Sequence, residues 1–262
     1  VFAPSNFTVT LFDISVEQLG KAKIEIEKNL LRAVSKNKIS EADKNVALLH
    51  INFSSDINSL KADLIIEAIL EKLEAKQELF KKLAAINSAE TIFATNTSSI
   101  PITRIAKKIP NSSRVVGMHF FNPAHIMKLV EVISGIETSP KVVEAIQDLT
   151  IKIGKTPIMC NDSPGFIVNR VARHYYVESL KMLEEKVASP EAIDELMESA
   201  GFKMGPFKLM DYVGNDINFA VTSSLYESFH QEAKFRPSRI QQQIVDGGHL
   251  GKKTGKGFYR YE

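Results

Sequence analysis

ADLIIEAIL, residues 62–70, is apolar at every position except Asp63 and Glu67. A strand with one face in water alternates apolar and polar residues. An almost unbroken apolar run is what a parallel strand needs when helices cover both of its faces. The flanking segments agree. Downstream, Leu73–Ala85 reads as a helix and Thr91–Thr95 (TIFAT) as a strand, followed by the polar loop NTSS and a short helix near Ile102. Upstream, Thr8–Phe12 (TVTLF) is a strand that runs into Asp13. Val16–Ser35 is helical by the spacing of Leu19, Ala22, Ile26, Leu30 and Ala33. Ser40 opens a second helix with Glu41 and Asp43 in its first turn, where the helix dipole favours acids. Ile51–Phe53 is a short strand. Further on, Arg114–Phe120 and Leu129–Ile133 are strands, Ser139 caps a helix to Ile153, and Thr156–Cys160 is a strand. Alternation of this kind predicts an α/β sheet with right-handed crossovers.

After NDSPG (161–165) the strand signals stop. Phe166–Glu185 has a helical pattern, Ser189-Pro190 is a cap followed by Pro at the first helical position, Gly205-Pro206 opens another helix, and Asn215–His230 forms a fourth. Two domains are expected: a doubly wound, mostly parallel α/β domain over 1–163 and an all-helical domain over 164–262.

Composition narrows the class of function. Apolar residues make up 44% and charged residues 24%, a globular balance, and the net charge of +2 gives no signal for nucleic acid. No apolar run approaches the length of a membrane span. The single cysteine, Cys160, excludes an intramolecular disulfide and suits a reducing compartment, the cytoplasm. No metal site is expected.

GMHFFNPAHIMKLVEV (117–132) places His119 and Glu131 inside consecutive strand-like runs. Burying a charge is costly unless it is paired. The pair is therefore either a structural pin between strands or an acid/base device. Asp13 ends an early strand, the place where dinucleotide-binding folds put an acid that accepts from the adenosine ribose; a turn-forming Asp is the alternative. In such folds a Gly-rich turn lies about 20 residues upstream of that acid. Only twelve residues precede Asp13, and none is glycine. The chain thus reads as starting just past a phosphate-binding loop, with the first strand absent, and a targeting segment stays open for that reason.

Eight motifs then appear in order: LFDIS (11–15), IIEAILE (65–71), ATNTSSI (94–100), GMHFFNP (117–123), MKLVEV (127–132), DSPGFIVNR (162–170), MGPFKLMDYVG (204–214) and GKKTGKGFY (251–259). With them the whole chain resembles the L-3-hydroxyacyl-CoA dehydrogenase family, specifically its short 3-hydroxybutyryl-CoA type; the absent Gly-rich turn is the one departure. The resemblance implies a Rossmann-like fold, NAD as cofactor, an acyl-CoA substrate and a homodimer formed through the helical domain, where Phe207, Leu209, Met210, Tyr212 and Val213 supply apolar surface that serves either the dimer or only the core. It makes His119 the acid/base and Glu131 the partner that sets its tautomer. Ser98 and Asn169 become the groups that hold the substrate oxygen. Asn122 would lie near the nicotinamide, and Glu71, Lys76 and Lys253 near the cofactor, while Lys36 would touch coenzyme A. Asp13 favours NAD over NADP because a carboxylate repels a 2′-phosphate. Read on their own, Lys76 and Lys253 are ordinary solvated lysines, Lys36 lies on a solvated basic helix face, Asn122 is a turn residue, and Ser99 caps the helix near Pro101. Two other functions compete: a related hydroxy-acid dehydrogenase that uses no coenzyme A, as in the lambda-crystallin and gulonate dehydrogenase neighbourhood, and a non-catalytic, crystallin-like protein that kept the fold.

Overall fold

The structure, a computed structural model, describes residues 1–262. It divides into two compact units, Val1–Asp162 and Ser163–Glu262. The first contains β1 (Val9–Phe12), α1 (Val16–Ser35), α2 (Glu41–Leu49), β2 (Ile51–Ser54), β3 (Leu64–Glu67), α3 (Leu73–Ile86), β4 (Ile92–Thr95), α4 (Ile102–Ala106), β5 (Val115–Phe120), β6 (Leu129–Ser134), α5 (Pro140–Lys152) and β7 (Thr156–Asn161). The second contains α6 (Val168–Glu184), α7 (Pro190–Ser199), α8 (Pro206–Val213), α9 (Asn215–Ser228) and α10 (Arg239–Asp246). No helix is long and apolar enough to cross a membrane.

In the first unit β1 pairs with β2 in parallel, and β3-β4-β5-β6-β7 form a five-stranded sheet that is parallel except between β5 and β6. β1 and β3 are each paired along one edge only. The core lies where Ala94, Val116, Met118, Val130 and Val132 of the sheet meet Val142 and Ile146 of α5. Gly117 is required there: a Cβ would stand 2.8 Å from Ile102 and Ile133 side-chain atoms.

Local chemistry sets the ends of the helices. The Asp13 carboxylate accepts from the Ser15 amide, and the Ser15 hydroxyl accepts from Gln18 to start α1. Ser40 and Asp43 cap α2 reciprocally. Ser139 occupies the cap position of α5 but its side chain makes no cap bond; Pro140 at the first position, with its preset φ, starts that helix instead. The apolar run 62–70 is a strand only over Leu64–Glu67. Glu67 turns its carboxylate onto the Ile69 amide at 2.6 Å, and Ile69 and Leu70 beyond it are exposed.

In the helical unit α6 begins at Val168, two residues later than the pattern predicts, because Phe166 takes a left-handed φ of 50°. α10 was not legible as a helix from its polar RIQQQIVD stretch. Phe207 and Met210 are core residues packed with Tyr176, Leu180 and Ile193. They supply no free surface, which leaves Tyr212 and Val213 as the exposed members of that set. Two buried aspartates organise the unit. Asp194 accepts from the Phe207 and Lys208 amides that open α8 and from the Tyr259 hydroxyl. Asp211 accepts from the Phe258 and Tyr259 amides and the Tyr261 hydroxyl. This is why MGPFKLMDYVG and GKKTGKGFY occur together: the second wraps the carboxylate of the first. A Cβ on Gly257 would lie 2.0 Å from the Asp211 carboxylate. Gly257→Ala is therefore expected to destabilise the protein by about 3 kcal/mol, read as a lowered urea midpoint; an unchanged midpoint would refute the clamp.

Candidate active site

Parallel strands end at the same edge of a sheet, and ligands bind at that edge in open α/β folds. The ends of β3, β4 and β5 carry Glu67, the loop 96–99 and His119. β5 and β6 are antiparallel with His119 directly opposite Glu131. Opposed residues of an antiparallel pair share a face and sit close enough to interact, so twelve residues of chain close into one contact. The His119 Nδ1 to Glu131 Oε2 distance is 2.8 Å, with His119 6% exposed and Glu131 fully buried. The Phe121 ring lies 4.7 Å from the imidazole, centroid to centroid. A buried carboxylate on Nδ1 stabilises the imidazolium and selects the tautomer that carries hydrogen on Nδ1.

The Ser98 loop is tied down from several directions. The Asn96 side-chain oxygen accepts from the Phe120 amide at 2.8 Å, linking the loop to the residue after His119. Glu71 Oε1 accepts from the Thr97 hydroxyl (2.5 Å), the Ser98 amide (2.9 Å) and the Ser99 amide and hydroxyl (both 3.1 Å). Ser99 therefore does not cap α4. The first amides of α4, Ile102 and Thr103, donate instead to the Asp162 carboxylate, both at 2.8 Å. Lys76 is not the solvated lysine its type suggests: it is 1% exposed and bonds Glu67 at 2.8 Å and Glu71 at 3.2 Å. Burial pushes the Glu71 carboxyl up, but the Thr97 hydroxyl, the Lys76 charge and the Ser98 amide outweigh it and hold the group below its ordinary value of 4.5. A depressed carboxyl contributes stability above its unfolded pKa and loses it as pH falls through the folded one. The stability gap between the native protein and Glu71→Gln is thus expected to be full near neutrality and to shrink below about pH 4.5. Urea midpoints across that range test it, and a gap independent of pH would contradict it.

The other expected residues fall as follows. Asp13 follows the last residue of β1 and is partly exposed, Asn122 is exposed just past β5, and Lys36 is exposed at the end of α1. Asn169 is half-buried in the first turn of α6. Lys253 is held by Asp216 at 2.6 and 2.7 Å in the helical unit. Gly214, at φ 107°, leaves room for this pair, since its Cβ would meet the Asp216 carboxylate at 2.9 Å. Burial first, then Glu131 and Asp162, push the Cys160 thiol up to about 12, which disfavours the thiolate that a nucleophile needs. Sequence reasoning missed Glu67, Asn96 and Asp162 as supports of the site. Only Glu67 carried a signal, as an acid inside an apolar strand.

The NAD fit rests on this geometry: a carboxylate just past β1, the polar loop 96–99 after β4 and Asn122 just past β5 are groups that a dinucleotide site at the ends of parallel strands can use. Comparison with known proteins agrees. Residues 1–163 match the model of the 3-hydroxyacyl-CoA dehydrogenase NAD-binding domain, and residues 165–261 that of the C-terminal domain of the same enzymes. A protein of Escherichia coli named 3-hydroxyadipyl-CoA dehydrogenase is 49% identical over 99% of this chain, which spans 55% of that protein's length. The mitochondrial hydroxyacyl-coenzyme A dehydrogenase of Sus scrofa is 42% identical over the whole chain, which spans 86% of its length. The crystal structure of (S)-3-hydroxybutyryl-CoA dehydrogenase from Ralstonia eutropha superposes with a TM-score of 0.95 at 39% identity, covering 99% of this chain and 92% of that one. With both domain models matched across nearly its full length, the chain belongs to the 3-hydroxyacyl-CoA dehydrogenase family.

Proposed function

We propose that the protein interconverts an L-3-hydroxyacyl-CoA of short chain and the corresponding 3-ketoacyl-CoA. The observation that supports this reading best is the buried His119–Glu131 pair at the end of β5. NAD, when bound, supplies the hydride acceptor, with Asp13 and Asn122 among the residues of the first unit that would hold it. The protein's own task is the proton. With Nδ1–H donating to Glu131, Nε2 takes the proton of the substrate hydroxyl as hydride leaves the same carbon. Glu131 then balances the imidazolium, and in the reverse direction the proton returns to the carbonyl oxygen. Ser98 holds that oxygen and fixes the orientation of the reacting carbon, and Asn169, in the first turn of α6, is a further substrate-binding residue of this proposal. Lys36, beside Arg32 at the end of α1, offers a cation for coenzyme A phosphates.

The short-chain assignment is supported by the 3-hydroxybutyryl name of the Ralstonia relative, and the 3-hydroxyadipyl name of the Escherichia coli relative sets the competing length. Tyr212 and Val213, 65% and 40% exposed, are apolar surface for a homodimer, a state that light scattering would read directly. The compartment we propose is the cytoplasm. Mixing the full-length protein with NADH and acetoacetyl-CoA tests the activity: loss of nicotinamide absorbance is the expected result. No loss with coenzyme A esters but turnover of free hydroxy acids would move the assignment to the hydroxy-acid branch, and no turnover of either to a non-catalytic role.

A further inference from the structure

Glu67 and Lys76 form an ion pair with almost no solvent contact: Glu67 is 2% exposed and Lys76 1%. Glu67 Oε1 accepts from Lys76 Nζ at 2.8 Å and from the Ile69 amide at 2.6 Å, and Oε2 accepts from the Thr95 hydroxyl at 2.7 Å. Lys76 Nζ in turn lies 3.2 Å from Glu71 Oε2. The other oxygen of Glu71 gathers the amides of Ser98 and Ser99. An unbroken chain of charged hydrogen bonds thus runs from the end of β3, through α3, to the backbone of Ser98. A buried ion pair is weak support for stability, because desolvation consumes most of the Coulomb gain and a well-packed apolar pair does at least as well. Its distinctive property is direction: charge-assisted bonds hold atoms at set positions. Thr95 adds a second tie, since it is the last residue of β4 and opens the loop.

We infer that Glu67 is a positioning residue for the reaction, holding Lys76 and through it Glu71, so that the Ser98 hydroxyl is presented to the substrate oxygen. This rests on the reading of Ser98 as a substrate contact. Glu67, 2% exposed and with both carboxylate oxygens taken by Lys76, Ile69 and Thr95, acts through these contacts. In Glu67→Gln the amide keeps the shape, but Lys76 loses its charge partner and shifts toward Glu71, and the loop follows. A misplacement of about 1 Å at a reacting group costs up to roughly 100-fold in rate.

The test is a double-mutant cycle on the full-length protein, comparing native, Glu67→Gln, Ser98→Ala and the double variant by kcat and KM for acetoacetyl-CoA and for NADH, with unfolding midpoints for each. Glu67→Gln is expected to lower kcat/KM for acetoacetyl-CoA by about 10- to 100-fold in the native background and by less than about 3-fold when Ser98 is already alanine. The same loss in both backgrounds would overturn the inference, because the effect would then bypass Ser98. A loss confined to the NADH KM would also overturn it. Full activity of Ser98→Ala would instead refute the reading of Ser98 itself, and the inference with it. If Glu67→Gln does not fold, Thr95→Val removes one of the carboxylate's donors and leaves both charges in place; it is expected to give a smaller loss, about 3- to 10-fold, that likewise vanishes beside Ser98→Ala.

Discussion

Replacing His119 by Ala is expected to lower kcat for acetoacetyl-CoA reduction by about 100- to 10,000-fold, the range that a positioned general acid/base contributes. Reduction of the keto group places negative charge on oxygen as hydride arrives, and His119, the buried imidazole at the end of β5, is the group we propose as the proton donor. The KM for NADH is expected to stay within a few-fold, about 3-fold at most, because uniform binding is untouched when the lost group acts only in the transition state. The substitution leaves Glu131 buried without its imidazole, and an orphaned buried charge destabilises the fold. His119→Asn, whose side-chain amide nitrogen stands where Nδ1 stands and can still donate to Glu131, therefore accompanies it as the variant that preserves the contact while removing the proposed acid/base. Stopped-flow turnover of both variants, beside their unfolding midpoints, separates chemistry from folding. A kcat within about 10-fold of native for a folded His119→Asn would remove the histidine from the reaction.

Glu131→Gln is expected to cost about 1,000-fold in kcat with little change in KM. The 2.8 Å contact shows what is lost. A carboxylate is an acceptor only, so it holds the imidazole with hydrogen on Nδ1. A glutamine side chain can present its amino group instead. It then stabilises the other tautomer, in which Nε2 already carries hydrogen and takes no proton from the alcohol. The amide also fails to balance the imidazolium in a site where Glu131 is fully buried and water does not screen the charge. Because the register holds the two side chains opposite each other, the backbone of β5 and β6 is expected to survive the change. Kinetics in the oxidative direction, with 3-hydroxybutyryl-CoA and NAD, tests the assignment most directly. Unimpaired oxidation would make the pair a structural pin between the strands, the reading with which the two buried residues began.

Much of this protein was decided locally and was therefore legible in its residues. The apolar spacing of α1, the Ser40 cap of α2, the Pro residues that open α7 and α8, and the apolar runs of β4, β5 and β6 depend on neighbours a few positions apart. His119 and Glu131 stood out for the same reason, as ionisable groups in apolar segments. What only the tertiary structure decided involves partners that meet through space. The run 62–70 stops being a strand at Glu67 because that carboxylate finds Ile69, Lys76 and Thr95, the last 28 residues away. Lys76 looks like a surface lysine until α3 lays it against β3. Asp162 caps a helix that lies 59 and 60 residues before it. Phe207 and Met210 read equally as interface or core until α6 and α7 cover them. α10 keeps a polar sequence because only Gln241 of it is buried. Periodicity shows which face of an element is apolar; which side chain answers a buried charge follows only from the packing of one element on another.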